Sequence, residues 1–390
     1  MQTSSTLPTS ENGGKRAGVH WGALLFIAGY HAVLFIGLPI YLFARTPGLD
    51  LLALMALLWA GTLVAITMGY HRFYSHKTYR ASKILEIPLL FFGTAAIQGS
   101  ALKWAFDHRL HHKFVDGEGD PYGTNQGFWH SHILWLFEHQ APIEERLVRD
   151  LMANRLVMFQ HKYYGWLATA TNVLLVAGVA ALTQDVFGAL IFGFLLRLFL
   201  THHSTWFINS LAHIWGSKPY SSEHSAVNNF ILAHLTFGEG YHNYHHTFSG
   251  DYRNGVRWYQ FDPPKYLIWL MSKIGLASDL QRVNRVAIDR TLVAADRKLM
   301  LQHLRDVEHP RVQAFMSSMD TTYESLTDKL AQMKTDLDRY SVLKRERARE
   351  EIRIKKAQIR DLRKSIRSEM KDWERLCKEV IRFKPGLANA

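Results

Sequence analysis

Four runs of mostly apolar residues, 21–43, 51–70, 166–182 and 187–208, constrain this chain more than anything else in it. Each is close to the roughly twenty residues that a helix needs to cross a hydrocarbon core of about 30 Å. The links ARTPGLD and TQD, with its flanks, are very short, so the runs form two helical hairpins. A hairpin returns the chain to the side it left. The N-terminus, residues 71–165 and everything after Asn209 therefore share one face. Lys15, Arg16, Arg72, Lys77, Arg80, Lys103, Arg109 and Lys113 lie on that face, whereas the short links hold only Arg45. The positive-inside tendency makes it the cytoplasmic face.

A fifth apolar stretch, 84–97, is too short to span comfortably and contains Glu86, Pro88 and Gly93. It reads as a re-entrant or interfacial helix. From about residue 282 the composition changes to charged residues in a helical rhythm, read as a coiled coil or as a charged helix lying against anionic lipid heads. The expected organisation is a cytoplasmic tail without fixed structure over 1–18, a membrane domain over 19–281 and a helical extension over 282–390. The net charge of +12 suits a nucleic acid or an anionic membrane surface, and the apolar spans favour the membrane. No nucleic-acid partner is expected. With Cys377 the single cysteine, a metal must sit on histidine or carboxylate.

The chain has 21 histidines, and their placement matters more than their number. HRFYSH carries His71 and His76 directly after the second span. DHRLHH carries His108, His111 and His112, HNYHH carries His242, His245 and His246, and NSLAH places Asn209 and His213 at the exit of the last span. Residues three and four apart on a helix share a face, so each triplet is expected to converge, as is Asn209 with His213. His71 and His76 are five apart, which implies that the helix changes direction between them. Nine imidazoles are too many for one metal, so two are implied. Iron is favoured, since a nitrogen-rich site without thiolate leaves positions for O2 and permits redox cycling, which zinc does not. Asp107, Asp116, Glu118, Asp120, Glu239 and Asp251 stand beside these groups as acceptors for the outer ring nitrogens. Other histidines, among them His31, His132, His139, His202, His203 and His224, read as packing or interfacial residues.

The blocks GYHRFYSHKTY, DHRLHHKF followed by DPYG, NSLAHIWGSKPY and GEGYHNYHHTFSGDYR resemble, in order, those of the membrane-bound acyl-CoA Δ9 desaturases of the stearoyl-CoA type, including bacterial members. The resemblance runs from about Trp21 to Leu280. It implies an all-α integral membrane protein with a cytoplasmic helical cap over a histidine-ligated di-iron site. The implied ligands are His71, His76, His108, His111, His112, His213, His242, His245 and His246, with Asn209 joined through water. Trp104 is implied to line the acyl tunnel, and Asp107 is assigned with it to substrate binding. The implied partners are long-chain acyl-CoA, O2, the lipid bilayer and a separate electron donor of ferredoxin, flavin-reductase or cytochrome b5 type, with a bacterial inner membrane as the location. No HPGG haem block and no flavin or nicotinamide fingerprint is present in the sequence.

Two departures bear on the acyl carrier. Phe106 stands where animal members have a basic residue, and His139 and Gln140 replace a basic pair, which brings in phospholipid or carrier-protein esters behind CoA. Hydroxylation of an acyl or alkane chain is the nearest rival, although alkane hydroxylases carry a glutamate inside their first box and HRFYSH has none. A histidine-rich zinc transporter or sensor is the rival from another class. It would need polar residues within the spans, where Arg197 is the main charge and no acid occurs.

Overall fold

Residues 18–384 are described by a computed structural model, and the expected tail lies outside them apart from its last residue. Four helices are long and apolar enough to cross a membrane: Trp21–Ala44, Leu49–Ser75, Tyr164–Thr183 and Val186–His213. The second and fourth run past the apolar segments read from the sequence, because they continue into the cap and carry histidines with them. Large apolar side chains such as Phe43, Trp166 and Leu182 point outward, as suits helices whose surroundings are lipid rather than water. Between the spans, Leu34, Leu51, Phe192, Leu198 and Trp206 pack into a buried cluster. At the end away from the cap the first span is tied to the link of the second hairpin. The Tyr41 hydroxyl donates to Asp185 at 2.6 Å, and Asp185 also accepts from the backbone of Gly188 at 2.8 Å.

Arg197, in the middle of the fourth span, is completely buried. It meets no carboxylate. Its guanidinium donates instead to the Gly193 carbonyl at 2.9 Å, the Ala95 carbonyl at 3.0 Å and the Asn172 side chain. These bonds replace water for the buried donors and fasten the fourth span to the third and to the end of the short helix Lys83–Ala95. That helix has 13 residues, about 20 Å at 1.5 Å per residue, and does not cross. Ile84 and Ile87 are exposed on it while Glu86 is buried, accepting from Lys83 at 2.6 Å and the Tyr74 hydroxyl at 3.2 Å.

The cap is built around helix Ala101–Phe114, which Ser100 caps by accepting from Lys103 N at 3.3 Å. A two-residue antiparallel pair, Arg80–Ala81 with Ala277–Ser278, clips the segment after the second span to the end of the membrane domain. Beyond it the chain forms three helices, Arg285–Leu304, Pro310–Glu346 and Arg349–Arg382. They form the long helical extension expected from the rhythm of charges, broken at two points. Pro310 begins the second behind a His309 cap, and Arg347 turns the chain back in the left-handed region at φ 57°. The three share a core of Met300, Phe315, Met319, Leu326, Trp373 and Val380.

Candidate metal centre

The first histidine segment owes its geometry to a widened helix. Residues Ala65–Ser75 at the end of the second span are π-helical, closing hydrogen bonds to the fifth residue back instead of the fourth. His76 N donates to His71 O at 3.1 Å and Ser75 Oγ to Tyr70 O at 2.8 Å. This corrects the expected change of direction: a turn that closes at five residues brings His71 and His76 to the same side, with ring centres 4.9 Å apart.

The nine histidines gather into two groups, His71, His76, His108, His112 and His245 in one, and His111, His213, His242 and His246 in the other. In each group one nitrogen per ring lies within 4.8 Å of all the rest. The triplets divide between the groups instead of converging on one point. Within DHRLHH the i,i+4 pair His108 and His112 serves the group of five, and His111 serves the other. Within HNYHH the i,i+4 pair His242 and His246 serves the group of four, and His245 crosses to the five. Each short helix thus feeds both groups, which fixes them side by side.

The inner contacts are Nε2 to Nε2: 3.0 Å for His71 with His245, 2.8 Å for His76 with His108, 2.9 Å for His112 with His245, and 3.0 Å for His213 with His242. Four of the outer nitrogens lie close to oxygen. His71 Nδ1 is 2.8 Å from Glu239 Oε2, His111 Nδ1 is 2.9 Å from Asp120, His108 Nδ1 is 3.2 Å from the Tyr122 hydroxyl, and His213 Nδ1 is 2.6 Å from Ser225 Oγ. A proton held on the outer nitrogen leaves a lone pair on the inner one. Burial, and after it the neighbouring imidazoles, pushes His76, His108, His112, His242, His245 and His246 well below the ordinary histidine range. They are neutral imidazoles whose nitrogens crowd toward one another, an arrangement that suits metal cations.

Of the six acids expected beside these groups, Glu239 and Asp120 touch rings directly, and Asp116 acts through Ser225, accepting from its backbone N at 2.6 Å. Asp251 holds the third segment from behind, accepting from the Tyr244 hydroxyl at 2.8 Å. Glu118 is exposed. Asp107 touches no ligand ring and instead pairs with Lys103 four residues earlier. Its carboxyl is raised above the usual range by burial, against the pull of Lys103. Burial would also raise Glu239, but His71 and Arg72 overcome it and hold its carboxyl low.

Two cations lock the frame. Arg72 is buried between Glu239, at 3.0 Å, and Asp262, at 2.9 Å. Arg109, between His108 and Leu110, donates to the carbonyls of Ser75 at 3.1 Å and Tyr74 at 2.6 Å, so the second segment grips the end of the first. Sequence reasoning placed both arginines on this face for their charge alone. Ser225 and Tyr122 carried no signal for contact with a ring, since both contacts depend on loop closure.

A cavity of about 640 Å³ approaches the centre from the first and fourth spans. Lys103, Asp107, His139, Gln140 and His20 line it, along with Trp104, Thr205 and Asn209. A small void beside the histidines, lined by His71, His108, His111 and His242, shares those last three residues with the cavity. The structure thus brings Trp104, Asp107 and Asn209 to one passage, with Trp104 stacked on His108 at 5.1 Å between ring centres. His139 and Gln140 fall on its wall, and segment 137–139 is laced to residues 18–20 by His20 N to Phe137 O at 2.7 Å and His139 N to Gly18 O at 3.2 Å.

Residues 50–268 match the family described as Fatty acid desaturase, more than half of the chain. A "Probable acyl-CoA desaturase" of Schizosaccharomyces pombe is 39% identical over 277 residues, 69% of this chain and 58% of that protein. "Acyl-CoA desaturase 1" of Saccharomyces cerevisiae is 38% identical over 238 residues, 60% of this chain and 47% of that protein. An "sn-1 stearoyl-lipid 9-desaturase" of Anabaena variabilis is 32% identical over 270 residues, 68% of this chain and 96% of that protein. The chain therefore spans about half the length of the first two and nearly all of the third. With four spans, two abutting histidine groups and a match that runs through all of the histidine segments, the chain belongs to the fatty acid desaturase family.

Proposed function

We propose that this protein is a membrane fatty-acyl desaturase in which the two histidine groups hold two iron ions and the cavity holds a saturated acyl chain. One observation carries the reading: adjacent groups of five and four imidazoles abut a passage whose wall includes Phe26, Ile27, Ile97, Leu136 and Trp206. The ligands are His71, His76, His108, His112 and His245 for one iron, His111, His213, His242 and His246 for the other, with Asn209 at the join with the passage. The reaction removes two hydrogens from neighbouring carbons, and these two hydrogens, together with O2, two electrons and two protons, leave as two waters. Bound iron supplies the redox steps that let O2 attack an unactivated C–H bond.

The protein's own part is placement. Trp104, Thr205 and Asn209 confine the acyl chain where cavity and histidines meet, and the void beside them, about 20 Å³, admits little more than one water. Glu239, Asp120 and Ser225 hold protons on the outer nitrogens of His71, His111 and His213 and so fix which nitrogen faces inward. The carrier is acyl-CoA, as in the names of the two fungal relatives, and the bond is introduced at the ninth carbon, as in the name of the third. A lipid ester is the second reading. It is favoured by the Anabaena relative and by a wall in which Lys103 is already paired with Asp107. Electrons arrive from a separate donor at the cytoplasmic face, and residues 19–281 carry the metal and acyl sites.

Expression in a host lacking its own desaturase, with mass spectrometry that locates the double bond, tests the reaction; hydroxylated products would overturn it. Metal analysis of the purified protein should give two irons per chain, and reversible zinc without iron would support transport instead.

A further inference from the structure

The loop between the last span and the third histidine segment is a built structure. Ser217 and Asn228 exchange backbone hydrogen bonds of 3.0 and 2.7 Å across its neck. Asn243, inside HNYHH, fills it, accepting from Tyr220 N at 2.9 Å and donating to Ser221 O at 2.8 Å and Ala226 O at 2.9 Å. Ser225 is pinned between Asp116 and His213. The residue before it, His224, is thereby set against His246, with ring centres 5.2 Å apart. Both of its ring nitrogens are buried and neither has a hydrogen-bond partner, the one histidine of which this holds among the described residues.

A buried polar nitrogen without a partner is destabilising, and packing alone gives no reason to hold an imidazole with two of them at this point. The neighbouring group is one imidazole short of its twin, four against five. The nitrogens of His224 are not among that tight set of four, so a direct bond to the same ion is not what the loop is shaped for. One water between them suits the spacing, since a buried water makes about three hydrogen bonds and needs partners of this kind. We infer that His224 is an outer ligand of the second metal position, joined to it through one water and held there by the loop 217–228. This rests on the two-iron reading above. It adds a tenth histidine to the centre and gives the group of four a polar contact beside His246.

The test uses the full-length protein purified with its iron, followed by release to a chelator and by Mössbauer spectroscopy. His224→Ala should speed the loss of one iron of the two by about tenfold, the range seen when a residue behind a metal ligand is removed, and should alter the spectrum of that iron alone. His224→Gln, which can still bond a water, should restore much of the retention. The unaffected iron serves as the internal reference for folding. Wild-type release in the alanine variant, or equal acceleration of both irons, would overturn the role given to His224. A wild-type protein without two irons would overturn the two-iron reading itself.

Discussion

Glu239→Gln is the most discriminating single substitution, because Glu239 joins the centre to the frame. Its Oε2 lies 2.8 Å from His71 Nδ1 and accepts from Asn254 at 2.6 Å, while its Oε1 accepts from Arg72 at 3.0 Å. Glutamine keeps the shape and removes the charge. Breaking a buried pair costs about 3–5 kcal/mol when it leaves a charge alone. Here Arg72 keeps Asp262 at 2.9 Å and the Tyr252 carbonyl at 3.0 Å, so the lower end, about 3 kcal/mol, applies. The second effect is on metal. A weaker acceptor behind His71 lowers the basicity of its inner nitrogen and frees its tautomer, worth about 10- to 100-fold in affinity. Asp262→Asn separates the two effects. Asp262 meets the same arginine and the backbone N–H groups of Asn254 and Gly255, at 2.9 and 3.0 Å, without touching a ligand ring. Thermal unfolding and iron competition on both variants should show a similar loss of stability and a metal defect in Glu239→Gln alone. Equal iron affinity in the two variants would refute the assignment of Glu239 to His71.

Arg109→Ala should cost stability and iron together, since it frees the carbonyls of Tyr74 and Ser75 beside His76; iron content and melting temperature report it, and loss of neither would remove Arg109 from the frame. Asp150 clasps Arg109 at 2.8 Å and Lys77 at 3.1 Å; burial opposes ionisation, but these cations hold its carboxyl down at about 2. A carboxyl lowered on folding stabilises above its unfolded value of about 3.9 and loses that contribution as pH falls toward 2. The side chain is about one-third exposed, so the contribution is discounted to about 1 kcal/mol, and Asp150→Asn should flatten the acid limb of a melting curve by that amount. Thr205→Leu should narrow the passage at the centre, cutting turnover of long acyl chains while iron content stays at the wild-type level. Burial, and then the Asp296 carboxylate, pushes the Cys377 thiol up to about 12; alkylation at pH 8 should therefore be at least about 100-fold slower in the folded protein than in denaturant.

The sequence made the spans legible because lipid imposes a length, and it made the two histidine triplets legible because a helix imposes a spacing. It did not reveal how the triplets would be shared. His111 and His245 each leave their neighbours for the opposite group, a choice set by where the short helices cross and not by periodicity. The five-residue gap between His71 and His76 looked like a fault in the pattern, since an α-helical rule does not fit a π turn. Asp107 was grouped with the ring acceptors by adjacency, yet a residue directly before a helical histidine points about 100° away from it, and it found Lys103. His139 and Gln140 could be aligned but not placed, as their position on the cavity wall depends on lacing to residues 18–20. The break in the C-terminal extension did have a local sign: Pro310 behind His309 is a helix start, hidden by the long rhythm of charges around it.

The seam between the membrane domain and the extension bears on how shortened forms should be cut. Val283 N donates to Asp251 at 2.9 Å, the carboxylate that also holds Tyr244 of the third segment, and Ile288 packs against Tyr244 and Tyr220. A chain ending at residue 282 would strip support from the helix that carries His242, His245 and His246, and would lose activity whatever the extension does for a donor or a lipid surface. Ending it after Leu304 keeps that buttress in place, and only then does a change in electron delivery report on the two outer helices.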